Sequence, residues 1–307
     1  MKIVLTHIGS SLPPYIIYCL RQLRLFNPTT ETFLIAGRKY LEEYETLLGQ
    51  LRITPFYYEE LEMDLSIQKL RKISWFGKYP FPQTTYPSPP NFWHNCTERY
   101  FAVESFMRVK KFSSIFYVES DVLVYSDLEE IESKMDRCPK GIYAIPVGKK
   151  SASGGLLFVD TADSLARFCR FVLEELPKGK NKIGQELETD FICDMELLAA
   201  FSCRSKEMHF FPILPQGEHS SYFREFESIF DPASWGQFLG GTNSDHPSGF
   251  IDGRHFVGEE LLKGKYHIVW EKLKEGRVPY VVDRSGEKVR LNNLHIHSKQ
   301  LEKFLSI

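Results

Sequence analysis

The stretch FYVESDVLVYSDL, residues 116–128, decides the fold. Phe116, Tyr117 and Val118 run straight into Glu119, Ser120 and Asp121, and Val122, Leu123 and Val124 follow at once. An apolar run of this length reads as a buried strand, so the two acids stand where a strand leaves the core. In an extended stretch, carboxylates one residue apart point to the same side. Two hard oxygen ligands on one side suit a single divalent cation, Mn2+ or Mg2+. Such a cation is a Lewis acid able to offset the charge of a diphosphate leaving group. The plain alternative is a strand end capped by turn-forming acids.

Outward from this point the chain alternates. KIVLTHI (2–8) reads as a strand closed by Gly9-Ser10-Ser11. PPYIIYCLRQLRLF (13–26) has apolar residues at helical spacing, with prolines at its start where they are tolerated. ETFLIAG (31–37) is a second strand, RKYLEEYETLLGQL (38–51) a helix and RITPFYY (52–58) a third strand. Strand–helix–strand–helix–strand predicts an α/β fold with a mostly parallel sheet and right-handed crossovers. FWHNCTERYFAVESFMRVKKF (92–112) reads as one helix feeding the strand SSIFYV (113–118). The acidic pair therefore falls at the carboxyl end of a central strand, where open α/β sheets bind ligands.

Before that helix, SWFGKYPFPQTTYPSPPN (74–91) holds five prolines without periodicity. It reads as a long irregular loop, a kind that is often functional or mobile. Its Trp75, Phe76, Tyr79 and Phe81, with Trp93, form either a stacking lip over a ligand or a satellite core. In the second half, GIYAIPV (141–147), GGLLFVD (154–160) and EMHFFPILP (207–215) read as strands. TADSLARFCRFVLEEL (161–176) and LETDFICDMELLAAF (187–201) read as helices, and residues 229–249 as loop-rich. RVPYVVDRSGEKVRLNNLHIH (277–297) is a hairpin pattern around Ser285-Gly286.

The bulk numbers exclude more than they assign. The chain has 307 residues, 43% hydrophobic and 25% charged, with a formal net charge of −2 and a pI near 6.5. That is ordinary for a globular enzyme and lacks the basic footprint of a nucleic-acid binder. No apolar run approaches the roughly 18–20 residues of a membrane span, and the N-terminal apolar run is too short for a secretory signal. The expectation is a cytoplasmic protein without a transmembrane segment, free to associate peripherally with a membrane. Cys19, Cys96, Cys138, Cys169, Cys193 and Cys203 lack CxxC pairing and read as small hydrophobes of a reduced chain. The Asn95-Cys96-Thr97 sequon is read as chance. Neither GxGxxG nor GxxxxGK[ST] occurs.

Two further groups of residues carry chemistry. His295 and His297 alternate with Leu294 and Ile296, so both imidazoles share one strand face. A neutral imidazole is a good third ligand beside two carboxylates, and a solvent-facing polar stripe is the plain alternative. Asp190, Asp194 and Glu196 crowd one helix start, where capping and the helix dipole alone would favour acids. Arg99, on a helix, is by default a solvated charge.

In this setting IFYVESDVLVYSDL resembles the DxD segment of GT-A glycosyltransferases. It is most similar to the group of glycogenin and the lipopolysaccharide galactosyltransferases, with their bacterial and viral relatives. Glu119 departs from that pattern, which usually has Asp there. The resemblance runs over residues 2–300 and implies a single GT-A-like catalytic domain over 1–307. Its nucleotide-binding half is 1–128, and its acceptor half, 129–307, ends in a metal-ligand strand and includes a small hairpin. It implies that Thr6, His7 and Ile8 run past the base, and that Glu119, Ser120 and Asp121 meet the metal and diphosphate. Arg99 would contact the donor, and Gly154 and Gly155 in SGGLLFVD would line the sugar pocket. Asp194 in DMELL would face the transferred sugar, with Asp190 and Glu196 as neighbours. In LHIHSK, His297 is favoured as the completing metal ligand, with His295 beside it or in its place, and Lys299 on the diphosphate. The stretch around Asp231, Gln237 and Gly240 would line the donor or acceptor side.

The function so implied is a metal-dependent hexosyltransferase. Its donor is a nucleotide sugar, a UDP-sugar favoured, and its acceptor a hydroxyl on a glycan, lipid-linked or protein substrate. Similarity to glycogenin implies retention of configuration, whereas an inverting enzyme needs a carboxylate such as Asp194 as base. Two other classes stay open. One is a sugar- or nucleotide-binding protein without turnover, which Glu119 favours. The other is a sugar-phosphate nucleotidyltransferase, which wants a basic phosphate loop after the first strand; HIGSSLPP has no Arg or Lys.

Overall fold

Isoleucine, valine and leucine at positions 3–5 are fully buried, as expected of a strand covered by helices on both faces. That strand, β1 (Lys2–His7), opens a computed structural model that describes residues 1–63, 67–77, 91–242, 247–249 and 255–307. In chain order there follow β2 (Thr32–Ala36), β3 (Ile53–Tyr57), β4 (Ile115–Val118), β5 (Val122–Val124), β6 (Ile142–Gly148) and β7 (Ser151–Val159). Then come β8 (Met208–Phe210), β9 (Ser228–Ile229), β10 (Tyr266–Lys272), β11 (Arg277–Asp283), β12 (Lys288–Leu291) and β13 (Asn293–His295).

The main sheet has seven strands in the order β3-β2-β1-β4-β7-β6-β8. Strand β7 runs against both its neighbours, β4 and β6, and the other adjacent pairs are parallel. Two residues, Lys149 and Lys150, separate β6 from β7, and a link that short permits only a hairpin. This is the expected mostly parallel α/β sheet, with β4 at its centre. Alternation along β4 feeds two cores. Phe116 and Val118 pack on one face with the helix Ile16–Phe26, whereas Ile115 and Tyr117 pack on the other with Tyr100, Val103 and Phe106 of the helix Phe92–Lys110.

A second sheet, β10-β11-β12-β9, contains the expected hairpin, with Ser285-Gly286 in its turn. After β12 the chain leaves this sheet, and β13 pairs antiparallel with β5. That pairing carries the C-terminal part of the chain to the end of β4. No described helix is long and apolar enough to cross a membrane, and all six cysteines are free.

Three elements differ from the sequence reading. The helix expected over 38–51 is two short ones, Arg38–Glu43 and Glu45–Gln50, with Tyr44 between them outside helical geometry (φ −109°). The helix expected over 187–201 begins only at Asp194. A preceding helix, Lys180–Leu187, stops where Glu188 turns left-handed (φ 50°) and Thr189 N–H closes on the Gly184 carbonyl at 2.8 Å. A side chain at 184 would place its Cβ 2.7 Å from the Thr189 oxygen, so glycine permits this stop. Thirdly, Ser234–Gly240, inside the stretch read as loop, is helical. Before the long helix Phe76 is buried, with its ring 5.3 Å from that of His94, and in the helix's first turn Trp93 lies 5.4 Å from Phe191. Trp75 packs edge-on against Phe76. Tyr79 and Phe81 lie outside the described residues.

Candidate active site

The acids at the end of β4 sit on a turn, not on an extended strand. Glu119 accepts from Val122 N–H through its carbonyl at 3.1 Å, and its own N–H donates to the Gly155 carbonyl at 2.8 Å. The buried thiol of Cys19 donates to the Val122 carbonyl at 3.2 Å, holding the turn from below. The two carboxylates therefore converge because the chain turns between them, and strand alternation is not the cause. The ladder of β13 on β5 sets His295 opposite Val122, and Ile296 N–H donates to the Asp121 carbonyl at 2.9 Å. His295 Nε2 lies 3.4 Å from Glu119 Oε2 and 3.3 Å from Asp121 Oδ2. Glu119, Asp121 and His295 thus offer three ligand atoms all within 4.8 Å of one another.

Two cations close the group. Lys299 ion-pairs with Asp121, and Arg99 ion-pairs with Glu119 through Nη1. Arg99 Nη2 reaches Asp194 Oδ2 at 2.6 Å and donates to the Tyr100 hydroxyl at 3.0 Å, which in turn donates to Asp194 at 3.2 Å. Arg99 is 8% exposed and Asp194 2%, so these charges are paired inside the protein. Burial opposes ionisation of Asp121, but Lys299 and His295 overcome it and hold its carboxyl well below the usual range. Burial lowers Lys299, yet Asp121 and Tyr15 keep it above its ordinary value. Burial, with His295 and Lys299 nearby, holds His297 well below the ordinary imidazole range and hence neutral.

Gly154 and Gly155 form the wall of the site. A Cβ on Gly154 would lie 2.1 Å from the Tyr100 hydroxyl, and one on Gly155 3.1 Å from His295 Nδ1. Thr6 and His7 end β1, with Ile8 just beyond it, and Thr6 Oγ1 shares a 3.2 Å hydrogen bond with the Tyr117 hydroxyl. His7 Nε2 is buried without a partner, and burial lowers its pKa. Ser120 is half-buried in the same turn. His297 stacks obliquely on His295, ring centroids 4.4 Å apart, and its Nδ1 lies 3.4 Å from Gln237 Nε2. It stands behind His295, outside the three-donor group.

Two acids are not brought to the carboxylate–imidazole group. Asp190 is exposed and faces Lys180 at 3.8 Å. Glu196 caps its own helix, accepting from the N–H and thiol of Cys193 at 3.0 Å each. Burial pushes its carboxyl up to about 7 against those two bonds. Two residues escaped the sequence reading. Tyr100 carried no signal beyond standing next to Arg99. Tyr15 looked like an ordinary helix-start aromatic, yet its ring lies 5.7 Å from Lys299 Nζ. It borders an open depression of about 500 Å3, lined by Pro14, Tyr15, Ile17, Tyr18, Arg21 and Lys299.

No protein-family profile and no curated protein matches this sequence. Solved structures similar to the chain include sugar transferases. The mouse xyloside xylosyltransferase 1, in its apo form, is 8% identical over 73% of this chain and 92% of its own, with a TM-score of 0.48. The galactosyltransferase LgtC, in complex with donor and acceptor sugar analogues, is 10% identical over 83% of this chain and 85% of its own, with a TM-score of 0.43. A cytidylyltransferase from Leptospira borgpetersenii is 10% identical over 58% of this chain and 71% of its own, at 0.33.

Proposed function

We propose that the chain is a metal-dependent glycosyltransferase that moves a sugar from a nucleotide sugar, a UDP-sugar by preference, to an acceptor hydroxyl. The observation that carries this reading is the meeting of Glu119, Asp121 and His295 within 4.8 Å at the carboxyl end of the central strand. Two carboxylates and an imidazole are oxygen and nitrogen donors suited to Mn2+ or Mg2+, so the residues present fit such an ion. When bound, it would supply Lewis-acid neutralisation of diphosphate charge. Lys299 stands at the same carboxylate and presents a second positive charge to a phosphate oxygen. Arg99 holds Glu119 and Asp194 in place. Gly154 and Gly155 let the Tyr100 hydroxyl and the His295 ring pack directly against β7, which keeps both side chains at the site. Acceptors are hydroxyls of a glycan, a glycolipid or a protein.

A specific observation favours a second reading, a binding protein without turnover: Arg99 and Lys299 already neutralise both acids of the turn. Donor assays separate the two. UDP-, GDP-, CDP- and dTDP-sugars with and without Mn2+ are compared by thermal shift and by release of free nucleotide, in wild type and Asp121→Ala. A ligand at 100 times its Kd stabilises by about 2.7 kcal/mol. Mn2+-dependent stabilisation and nucleotide release, both lost in Asp121→Ala, are expected. Stabilisation without any release from any donor would replace the transferase by the binding protein.

A further inference from the structure

Of the three donors at the site, His295 is carried by a short support, the three-residue strand β13. A ladder this short does little to fix an imidazole by itself. The backbone around His295 is nevertheless held from two sides. Towards β5, Ile296 N–H donates to the Asp121 carbonyl at 2.9 Å. On the opposite side no strand among the described residues meets His295 N–H, which donates instead to Asp231 Oδ2 at 2.8 Å.

Asp231 is 1% exposed, and its carboxylate is filled by backbone donors. Besides His295 it accepts from Trp235 N–H at Oδ1 and Gly236 N–H at Oδ2, each at 3.0 Å. Its own N–H donates at 3.1 Å to the side chain of Asn293, the first residue of β13. Both ends of the strand are thus tied to one buried acid. The helix Ser234–Gly240 closes the arrangement, because a Cβ on Gly236 would lie 2.0 Å from the His295 carbonyl oxygen. Glycine there lets helix and strand backbones touch.

We infer that Asp231 is the positioning residue for the His295 imidazole. It replaces a missing edge strand at His295 N–H and locks that residue's backbone against helix Ser234–Gly240, so that Nε2 faces Glu119 and Asp121. The role rests on the proposed cation site, and groups that orient metal ligands in this way are typically worth 10–100-fold in metal affinity. An amide at 231 offers one acceptor oxygen, so its NH2 must oppose at least one of the three N–H donors.

The test is a Mn2+ titration of the full chain, following the free-ion paramagnetic resonance signal, without any donor or acceptor. Wild type, Asp231→Asn, Gly236→Ala, His295→Ala and the Asp231→Asn/His295→Ala double variant are compared, with near-ultraviolet circular dichroism reporting the fold. Asp231→Asn and Gly236→Ala should each weaken Mn2+ about tenfold, and Asp231→Asn should add nothing once His295 is gone. Wild-type affinity in folded Asp231→Asn and Gly236→Ala overturns the inference, as does an equal loss with and without His295. Should Asp231→Asn fail to fold, Gly236→Ala alone decides. Absence of Mn2+ binding by the wild type would remove the cation site and this role with it, a result distinct from unchanged binding in the variants.

Discussion

The ammonium group of Lys299 rests on the Oδ2 of Asp121, 178 positions earlier in the chain. The same oxygen is one of the two that face His295 Nε2. A divalent cation at the proposed site and Lys299 therefore compete for one carboxylate, while both attract a diphosphate. Removing the lysine should move two affinities in opposite directions. Lys299→Met is expected to bind Mn2+ alone about fivefold more tightly and UDP about fivefold more weakly, the modest size reflecting the 43% exposure of the Lys299 side chain. Calorimetric titration with each ligand reads both signs, and a common direction would show that Lys299 is not poised between them.

Arg99 makes a second long-range tie, bridging Glu119 and Asp194 from the helix Phe92–Lys110. Its removal leaves the buried Asp194 without its arginine, and an unpaired buried charge typically costs 3–5 kcal/mol. Arg99→Met should lower unfolding stability by about 3 kcal/mol in urea titration. Arg99→Lys keeps a charge but not the planar fork that serves two acids at once, so it should fall between wild type and Arg99→Met. Equal stability of all three proteins would mean that Glu119 and Asp194 find water instead.

The paired glycines of β7 should respond differently to the same added methyl group. At 154 the methyl meets the hydroxyl of Tyr100, a rigid side chain 2% exposed, at 2.1 Å. At 155 it meets His295 Nδ1 at 3.1 Å, which needs a shift of only tenths of an ångström. Gly154→Ala is expected to lose about 1–3 kcal/mol as an overpacked core site. Gly155→Ala should lose less stability yet weaken Mn2+, because the ring it displaces is a proposed ligand. Thermal melts and Mn2+ titrations of the two variants give the order, and the reverse order contradicts the geometry.

What the sequence made legible, and what it did not, follows from the range of the interactions. The apolar run of β4, its acids and its place in the middle of a mostly parallel sheet are set by local pattern, and they could be read along the chain. The turn at Glu119–Asp121 could not, because Ser120 and its neighbours look the same in a strand as in a bend. Nor could alternation decide between His295 and His297, since both share a face. The choice is made by register: β13 meets β5 with His295 opposite Val122, and the residues on those two strands carry no code for that offset. The helix break at 188–193 escaped because a tight contact between Gly184 and Thr189, not a proline, produces it. Asp231 stood out in the sequence only as part of a polar, glycine-rich stretch. Its tie to His295 crosses 64 positions.

Below the sheet, Glu175 gathers three cations. Its carboxylate meets Lys178 at 2.7 Å, Lys182 at 3.2 Å and Arg204 at 2.9 Å, joining the helix Ala162–Glu175 to Lys180–Leu187 and Asp194–Arg204. The last of these helices begins with the acid that Arg99 holds. Burial raises the Glu175 pKa, but bonds from Lys178, Arg204 and Lys182 outweigh it and bring it down to about 2. A folded pKa below the unfolded value of roughly 4.3 means that the unfolded chain binds more protons in this window. The stabilisation is then complete above about pH 5 and is lost as pH falls from roughly 4.3 towards 2. Glu175→Gln has no proton to take up there. Urea midpoints at pH 5.5 and pH 3.5 should therefore drop further in wild type than in Glu175→Gln, with the difference between the two proteins largest at the higher pH. If the two lose stability in parallel, the carboxylate gains nothing from its three cations, and the helix that begins at Asp194 is held by its apolar face.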